Sequence, residues 1–357
     1  MGKRHLMSGA EAMAEAAIRA GCRFYFGYPI TPQSELAEYL ARELPKRGGV
    51  FLQAESEIAA INMVFGASVT GARAMTSSSS PGISLKQEAI SYMAGCELPG
   101  VIVNVCRGGP GLGNIAPSEA DYFQAVKGGG HGDYRNIVLA PSSVQEAADL
   151  SYLAFDISEK YRNPVMILCS AVIAQMVEPV EFMSPRRPEE VEKPWALTGA
   201  KGREPRVIKS LRLSEQELEE HNRHLQEKYA TVKAKEVRYE TRYLEDAELV
   251  LVAFGYAARA SLQAMNWARA EGIKVGMIRP ITVWPFPSQI VKEEAEKGVK
   301  FLVVEDNLGQ MVMDVKMASE GKAAIYLVSA LDRHEAMEGG AIYPEKVLEK
   351  IKELTAS

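Results

Sequence analysis

Short, continuous apolar runs separated by helical periodicity constrain this chain more than any other feature it has. In its first half the runs fall at residues 23–27, 50–54, 73–76, 101–106, 137–139 and 165–168. A strand that is apolar along its whole length, and not merely at alternate residues, has both of its faces covered. Between most runs lies a 3.6-residue repeat: Ile58, Ile61, Phe65 and Val69 mark one helix ending near Gly71, and Ala147, Leu150, Leu153 and Ala154 mark another within 144–159. This alternation predicts an α/β fold with a parallel sheet carrying helices on both sides. Ser8 and Glu11 have the spacing of a capping box, which predicts an alanine-rich helix that stops at Gly21.

The alternation resumes later, with strands at 249–254, 274–278, 300–304 and 325–328 and helices at 257–270, 287–297 and from Pro344 onward. Between the two α/β stretches, Pro179, Pro185, Pro188, Pro194 and Pro205 lie among scattered charges without periodicity, as in an extended connector. Residues 214–235 read as a charged helix with few apolar anchors, either a solvated surface helix or one that packs on a partner subunit. The expected division is 1–175, 176–245 and 246–357, with a smaller α/β domain last.

Composition narrows the function class. With 47% hydrophobic residues, 24% charged residues and a net charge of −5, the chain has no basic surplus for nucleic acid or an anionic membrane. It has no run of about 18 apolar residues, the length that would be needed to span a bilayer. The basic start, Met1 to Ser8, lacks the apolar core of a signal peptide, and a cytoplasmic location is expected. Cys22, Cys96, Cys106 and Cys169 stand singly, without a C-x-x-C pair, and read as buried, reduced thiols and not as metal or cluster ligands.

In open α/β sheets, ligands sit outside the carboxyl ends of the strands, where this chain has four polar corners. In Tyr28-Pro29-Ile30-Thr31-Pro32, Thr31 either caps the next helix with Pro32 at its first position or also turns its hydroxyl to a ligand. Glu55 and Glu57 suit a first helical turn through the macrodipole. Glu57 is followed by Ile58, Ala59, Ala60 and Ile61, a setting in which a carboxyl turned inward is poised for proton transfer. The run Thr76 to Gly82, with Ser78 and Ser79, precedes a helix from about Ile83 and is either an anion or heterocycle site or a serine-rich loop. Arg107 to Asn114 has glycines at 109, 111 and 113, which fails the dinucleotide pattern and disfavours a nicotinamide enzyme. The loop presents Arg107, suited either to bidentate carboxylate binding or to a structural ion pair. His131-Gly132-Asp133 is a further polar loop, and no phosphate cradle or metal motif is visible.

Taken in order, Tyr28 to Pro32, Ser56 to Ala59, Thr76 to Gly82, Arg107 to Pro110 and His131 to Asp133 resemble the α-type subunit of 2-oxoacid:ferredoxin oxidoreductases. Tyr28 to Gln33, Arg107 to Asn114 and Lys127 to Asp133 look most like the 2-oxoisovalerate branch. In the last domain, Phe301 to Met311, with Val304-Glu305-Asp306-Asn307, is similar to the transketolase C-terminal-like fold.

The resemblance implies a thiamine diphosphate site shared by two subunits, this chain supplying the pyrimidine side. It implies a β-type partner carrying the diphosphate and Mg²⁺ ligands and a 4Fe–4S cluster, with γ-type and ferredoxin-like δ-type subunits, ferredoxin as acceptor and coenzyme A as co-substrate. Glu57 matches the glutamate that hydrogen-bonds N1′ of the aminopyrimidine, and Thr31 and Arg107 match positions that orient the 2-oxoacid. Tyr28, Pro29, Ile30, Ser78 and Ser79 are expected to line the cofactor. Relatives acting on 2-oxoglutarate or pyruvate often carry polar residues after the arginine, where this chain has Leu112, Ile115 and Ala116. A non-catalytic scaffolding subunit is the competing reading, disfavoured by the presence of Glu57, Thr31 and Arg107 together.

Overall fold

A computed structural model describes residues 4–186, 192–332 and 341–356. Met1, Gly2, Lys3 and Pro188 lie outside the described residues. The chain opens with β1 (His5–Ser8) and α1 (Gly9–Arg19), joined by the expected capping box: Ser8 Oγ accepts from the Glu11 N–H and the Glu11 carboxylate accepts from the Ser8 N–H. Six parallel strands follow, β2 (Phe24–Gly27), β3 (Val50–Gln53), β4 (Ala74–Ser78), β5 (Gly100–Cys106), β6 (Ile137–Leu139) and β7 (Pro164–Ser170). The crossovers carry α2 (Ser34–Glu43), α3 (Glu57–Val69), α4 (Ser80–Gly95), α5 (Tyr122–Lys127) and α6 (Val144–Tyr161). As the apolar runs predict, β5 and β7 are buried at every residue.

After α7 (Ala171–Gln175), the connector contributes β8 (Val177–Val180), which pairs antiparallel with β1. The charged helix α8 (Glu215–Lys235) is not solvated all round. It buries Leu225, Tyr229 and Val232, and His221 Nε2 lies 2.8 Å from the Gly95 carbonyl. The spacing i, i+4, i+7 of those three side chains is the stripe by which an otherwise charged helix docks on its own chain.

The last part contains β9 (Tyr239–Arg242), β10 (Leu249–Ala253), α9 (Gly255–Ala270), β11 (Val275–Pro280), β12 (Thr282–Trp284), α10 (Ser288–Glu296), β13 (Lys300–Val304), α11 (Met311–Ser319), β14 (Ile325–Val328) and α12 (Pro344–Thr355). Among the described residues the second large sheet runs β14-β13-β10-β11-β9, with only β9 antiparallel. The first runs β12-β6-β7-β5-β4-β2-β3. Its edge strand β12 therefore comes from the 246–357 segment, one residue after β11 leaves the other sheet. Thr282 fixes that corner, its Oγ1 accepting from the Arg238 N–H at 2.8 Å, while Trp284 meets Tyr229 edge-on at 5.8 Å.

All four cysteines are buried and free, and burial pushes the Cys22 thiol up to about 12, far from a reactive thiolate. No helix among the described residues is long and apolar enough to cross a membrane.

Carboxyl groups seal the contact between the two sheets. Glu119 is fully buried, with Oε1 accepting from the Tyr256 N–H at 2.8 Å, and its own N–H donates to the Asp306 carbonyl at 3.0 Å. Asn307 Nδ2 donates to the Glu119 carbonyl at 3.2 Å, and Glu305 accepts from the first two amides of α11. The close approach requires glycine at 255, where φ is +57° and a Cβ would lie 2.0 Å from Glu119 Oε1.

Burial, helped by neighbouring Asp306, raises the Glu119 carboxyl well above its ordinary value of 4.5. The folded chain therefore keeps a proton that the unfolded chain releases. That stabilisation is complete below the ordinary carboxyl range and is lost as pH rises through the folded value. Glu119→Gln removes the titration, and the Tm of the variant minus that of the native chain should rise between about pH 5 and about pH 8 in thermal unfolding. A flat or falling difference would contradict this assignment.

Candidate active site

Because β2, β3, β4 and β5 are parallel neighbours, their carboxyl ends fall on one edge of the sheet. The four polar corners of the sequence follow those four ends, so the fold gathers them.

After β3, Ser56 caps α3 by accepting from the Ala59 N–H at 3.2 Å, which puts Glu57 in the first turn. Glu57 is 7% exposed. The inner face of α3 is Glu57, Ala60, Ile61, Val64 and Ser68, so Ile58, expected on the buried stripe, points away and is exposed. Glu55 is also exposed and accepts from Ser56 Oγ at 2.7 Å. Among the described residues no side chain hydrogen-bonds the Glu57 carboxylate. Its position is set by α4: a Cβ on Gly82 would lie 2.8 Å from Glu57 Oε1 and 2.1 Å from Ser78 Oγ.

The serine run is not a loop. β4 continues to Ser78 and α4 begins at Ser80, three residues before the expected start, with Pro81 in its first turn. Ser78 and Ser79 are fully buried, and neither hydroxyl has a hydrogen-bond partner. Tyr25 and Ser77 share a hydrogen bond of 2.7 Å, and Ser77 Oγ donates to Gln33 Oε1 at 2.5 Å.

Gln33 corrects the reading of Thr31. α2 begins at Ser34, and its cap residue is Gln33, without a side-chain capping bond. Thr31 lies in a turn closed by the Gln33 N–H on the Ile30 carbonyl at 3.2 Å, and Gln33 Nε2 reaches back to the Tyr28 carbonyl at 3.3 Å. The inward pull on Gln33 leaves Thr31 outside the helix. Tyr28, Pro29 and Thr31 are exposed, and Ile30 is half-buried.

Arg107 binds this turn to the glycine loop. It is 7% exposed, and its guanidinium donates to the Thr31 carbonyl at 2.9 Å and the Leu112 carbonyl at 3.0 Å, leaving Nε buried without a partner. Its backbone is held from below: the Arg107 N–H donates to Ser80 Oγ at 3.0 Å, and Ser80 Oγ donates to Asp121 at 2.6 Å. Asn104 Nδ2 also donates to Asp121, at 2.8 Å. Leu112 and Ile115 are 79% and 64% exposed, so this chain does not enclose them as an apolar pocket. His131 and Asp133 lie on an exposed loop, with His131 edge-on to Tyr92 at 6.3 Å.

The family model for pyruvate flavodoxin/ferredoxin oxidoreductase, thiamine diphosphate-binding, matches residues 15–242, and that for pyruvate:ferredoxin oxidoreductase core domain II matches residues 247–347. The chain belongs to this oxidoreductase family. Over 98% of its length it is 52% identical to a protein of Methanothermobacter marburgensis named ketoisovalerate oxidoreductase subunit VorB, covering 97% of that relative. It is 37% identical to the 2-oxoglutarate synthase subunit KorA of Methanothermobacter thermautotrophicus, covering 98% of this chain and 99% of that one. A solved 2-oxoglutarate:ferredoxin oxidoreductase from Magnetococcus marinus superposes with a TM-score of 0.86 at 28% identity, over 99% of this chain and 65% of that one. A split-gene transketolase, at TM-score 0.60 and 15% identity, shares the fold alone.

Within this oxidoreductase, the sequence reading missed Lys86, Asn104 and Asp121. Lys86 had a visible signal, because it falls on the stripe of Ile83, Ile90 and Met93, where a lysine side chain has no water to reach. Asp121 joins the site only through folding, since Ser80 is 41 residues away in sequence.

Gly82 supplies a direct check. Gly82→Ala must displace Ser78 and Glu57, and overpacking of this kind costs about 1–3 kcal/mol. Gly66→Ala in α3, with nothing within 4 Å of its added Cβ, should stabilise by about 0.5–1 kcal/mol. Thermal unfolding of both variants tests the packing around Glu57.

Proposed function

We propose that this chain is the pyrimidine-side subunit of a 2-oxoacid:ferredoxin oxidoreductase acting on a branched 2-oxoacid such as 2-oxoisovalerate. The reaction yields acyl-CoA and CO₂ and reduces ferredoxin. The observation that carries this reading is the Glu57 carboxylate, on a residue only 7% exposed and without a side-chain partner among the described residues, with the buried, unpartnered Ser78 hydroxyl near the same point of Gly82 and the unpartnered Ser79 hydroxyl next in the chain. Buried polar groups ordinarily have partners, so this donor and acceptor set fits a polar heterocycle. The aminopyrimidine of thiamine diphosphate is such a ring, and the bound cofactor would supply an acidic C2 carbon able to add to a 2-oxo group.

In this reading Glu57 holds a proton at N1′ of the pyrimidine, where its carboxyl serves as acid and base in turn. Ser78 and Ser79 hydrogen-bond the ring, and Tyr28, Pro29 and Ile30 border it. Arg107 directs its charge at the substrate carboxylate, with Thr31 held beside it through the carbonyl contact. Leu112 and Ile115 need a second chain to close over them, since side chains this exposed exclude little water. A β-type subunit with the diphosphate and Mg²⁺ ligands and a 4Fe–4S cluster is that chain, in a cytoplasmic complex with γ-type and δ-type subunits. Residues 1–175 are taken as the pyrimidine-side domain, 176–245 as the connector and 246–357 as the transketolase C-terminal-like domain, with β9 of the connector joining the second sheet and β12 of the last segment joining the first. The choice of a branched substrate is supported by the 52% identity to a ketoisovalerate oxidoreductase subunit against 37% to a 2-oxoglutarate synthase subunit.

Glu57→Gln in the reconstituted complex should slow C2-proton exchange of thiamine diphosphate by about 10²–10⁴-fold while assembly persists. Near-native exchange would remove Glu57 from the role. The complex should also show higher kcat/KM for 2-oxoisovalerate than for 2-oxoglutarate, each buried methylene contributing about 1–3 kcal/mol of discrimination. Ferredoxin reduction with the two acids measures this directly, and equal turnover would mean that a partner supplies a second cation. The isolated chain should bind thiamine diphosphate weakly even with Mg²⁺. Micromolar binding by the chain alone in calorimetry would argue against a divided site.

A further inference from the structure

Lys86 is completely buried on the inner stripe of α4, one turn after Gly82. Its Nζ donates to the Glu57 carbonyl at 3.3 Å and to Thr76 Oγ1 at 3.1 Å. A lysine ammonium has three donors, and the two acceptors it meets here are neutral. A cation removed from water is costly without a nearby anion, and a methionine would fill similar space without that cost. Packing therefore does not account for the ammonium. The Glu57 carboxylate belongs to the residue whose carbonyl Lys86 holds, and it is the charge that acts on Lys86 among the described residues.

We propose that Lys86 is a positioning residue for Glu57. Its ammonium fixes the first turn of α3 through the Glu57 carbonyl, and its charge orients the Glu57 carboxylate past Gly82 toward the site. This rests on the reading of Glu57 as the proton-exchanging group. Thr76 on β4 fixes the ammonium from the sheet side, so the lysine links strand, helix and carboxylate.

A titration follows from the same surroundings. Burial pulls Lys86 down to about 8, against the opposing attraction of Glu57. The positioning charge is complete below that pH and is lost above it. Thiamine diphosphate C2-proton exchange in the assembled complex should therefore decline on the alkaline side with a midpoint near 8.

The test compares Lys86→Met, Lys86→Arg and Glu57→Gln in the reconstituted complex, together with the Tm of each isolated chain. Lys86→Met should leave Tm unchanged or raised and KM for the 2-oxoacid unchanged. It should lower kcat and C2 exchange by about 10-fold, within the ~10–100-fold typical of losing a supporting partner, and abolish the alkaline decline. Lys86→Arg, whose guanidinium does not titrate in this range, should recover most of the lost exchange and move the decline upward. Native exchange and a native pH profile in Lys86→Met would overturn the proposal, as would a loss of kcat that follows a loss of Tm with the profile unchanged. If Lys86→Met does not assemble, the Lys86→Arg profile decides, and a decline still centred near 8 overturns the proposal. Undiminished exchange in Glu57→Gln would instead defeat the reading of Glu57 itself, whatever the lysine variants show.

Discussion

Parallel pairing is the constraint from which the rest follows. A parallel strand can reach its neighbour only by a crossover, and each crossover from β2, β3, β4 and β5 starts at the same edge of the sheet. Residues distant in sequence are thereby brought within hydrogen-bonding distance without any loop having to travel. Arg107 and Thr31, separated by 76 positions, meet because β5 and β2 end at the same edge of the sheet with only β4 between them. The helices that return along the sheet then do two jobs. They cover its faces, and their first turns carry Glu57 and Ser80 to the edge.

Much of this was legible in the sequence. Fully apolar runs identified the central buried strands, though the run at 50–54 forms the edge strand β3, with Val50 and Leu52 exposed because no strand among the described residues covers its outer side, and the Ser8 and Glu11 pair announced α1. Glu57, Ser78, Ser79 and Arg107 were singled out as residues at strand ends, and the fold does assemble them on one edge. Of the two readings left open for Thr31, the helix cap fails: Thr-Pro ordinarily starts a helix, whereas here the buried Tyr25–Ser77–Gln33 network draws Gln33 inward and α2 starts later. Ile58 was misread because periodicity gives the width of an apolar stripe and not which side of it meets the sheet. The mate of β12 was invisible, since three residues after Arg279-Pro280 carry no record of a strand more than 140 positions earlier.

The contact between the sheets shows how one short motif can serve several ends. In Val304-Glu305-Asp306-Asn307, Glu305 binds the opening amides of α11, Asn307 holds both the Gly309 amide and the Glu119 carbonyl, and the Asp306 carbonyl accepts from Glu119. Such a seam is satisfied mostly through backbone groups, which fixes its geometry more firmly than side-chain contacts would. Backbone amides bound to Glu119 Oε1 and to both Glu305 oxygens offset part of the cost of burying these carboxyl groups.

The passage from β11 to β12 has a mechanical meaning. Ile281 alone separates a strand of one sheet from a strand of the other, and the Ile281 carbonyl accepts from the Ala140 N–H at 2.8 Å just beyond β6. A hinge needs a few residues free to absorb a change in backbone angles. This corner has no such slack, and any displacement of the smaller sheet is delivered as a pull on the β6 edge of the larger one. At this corner the chain therefore gives the two sheets a rivet and not a joint.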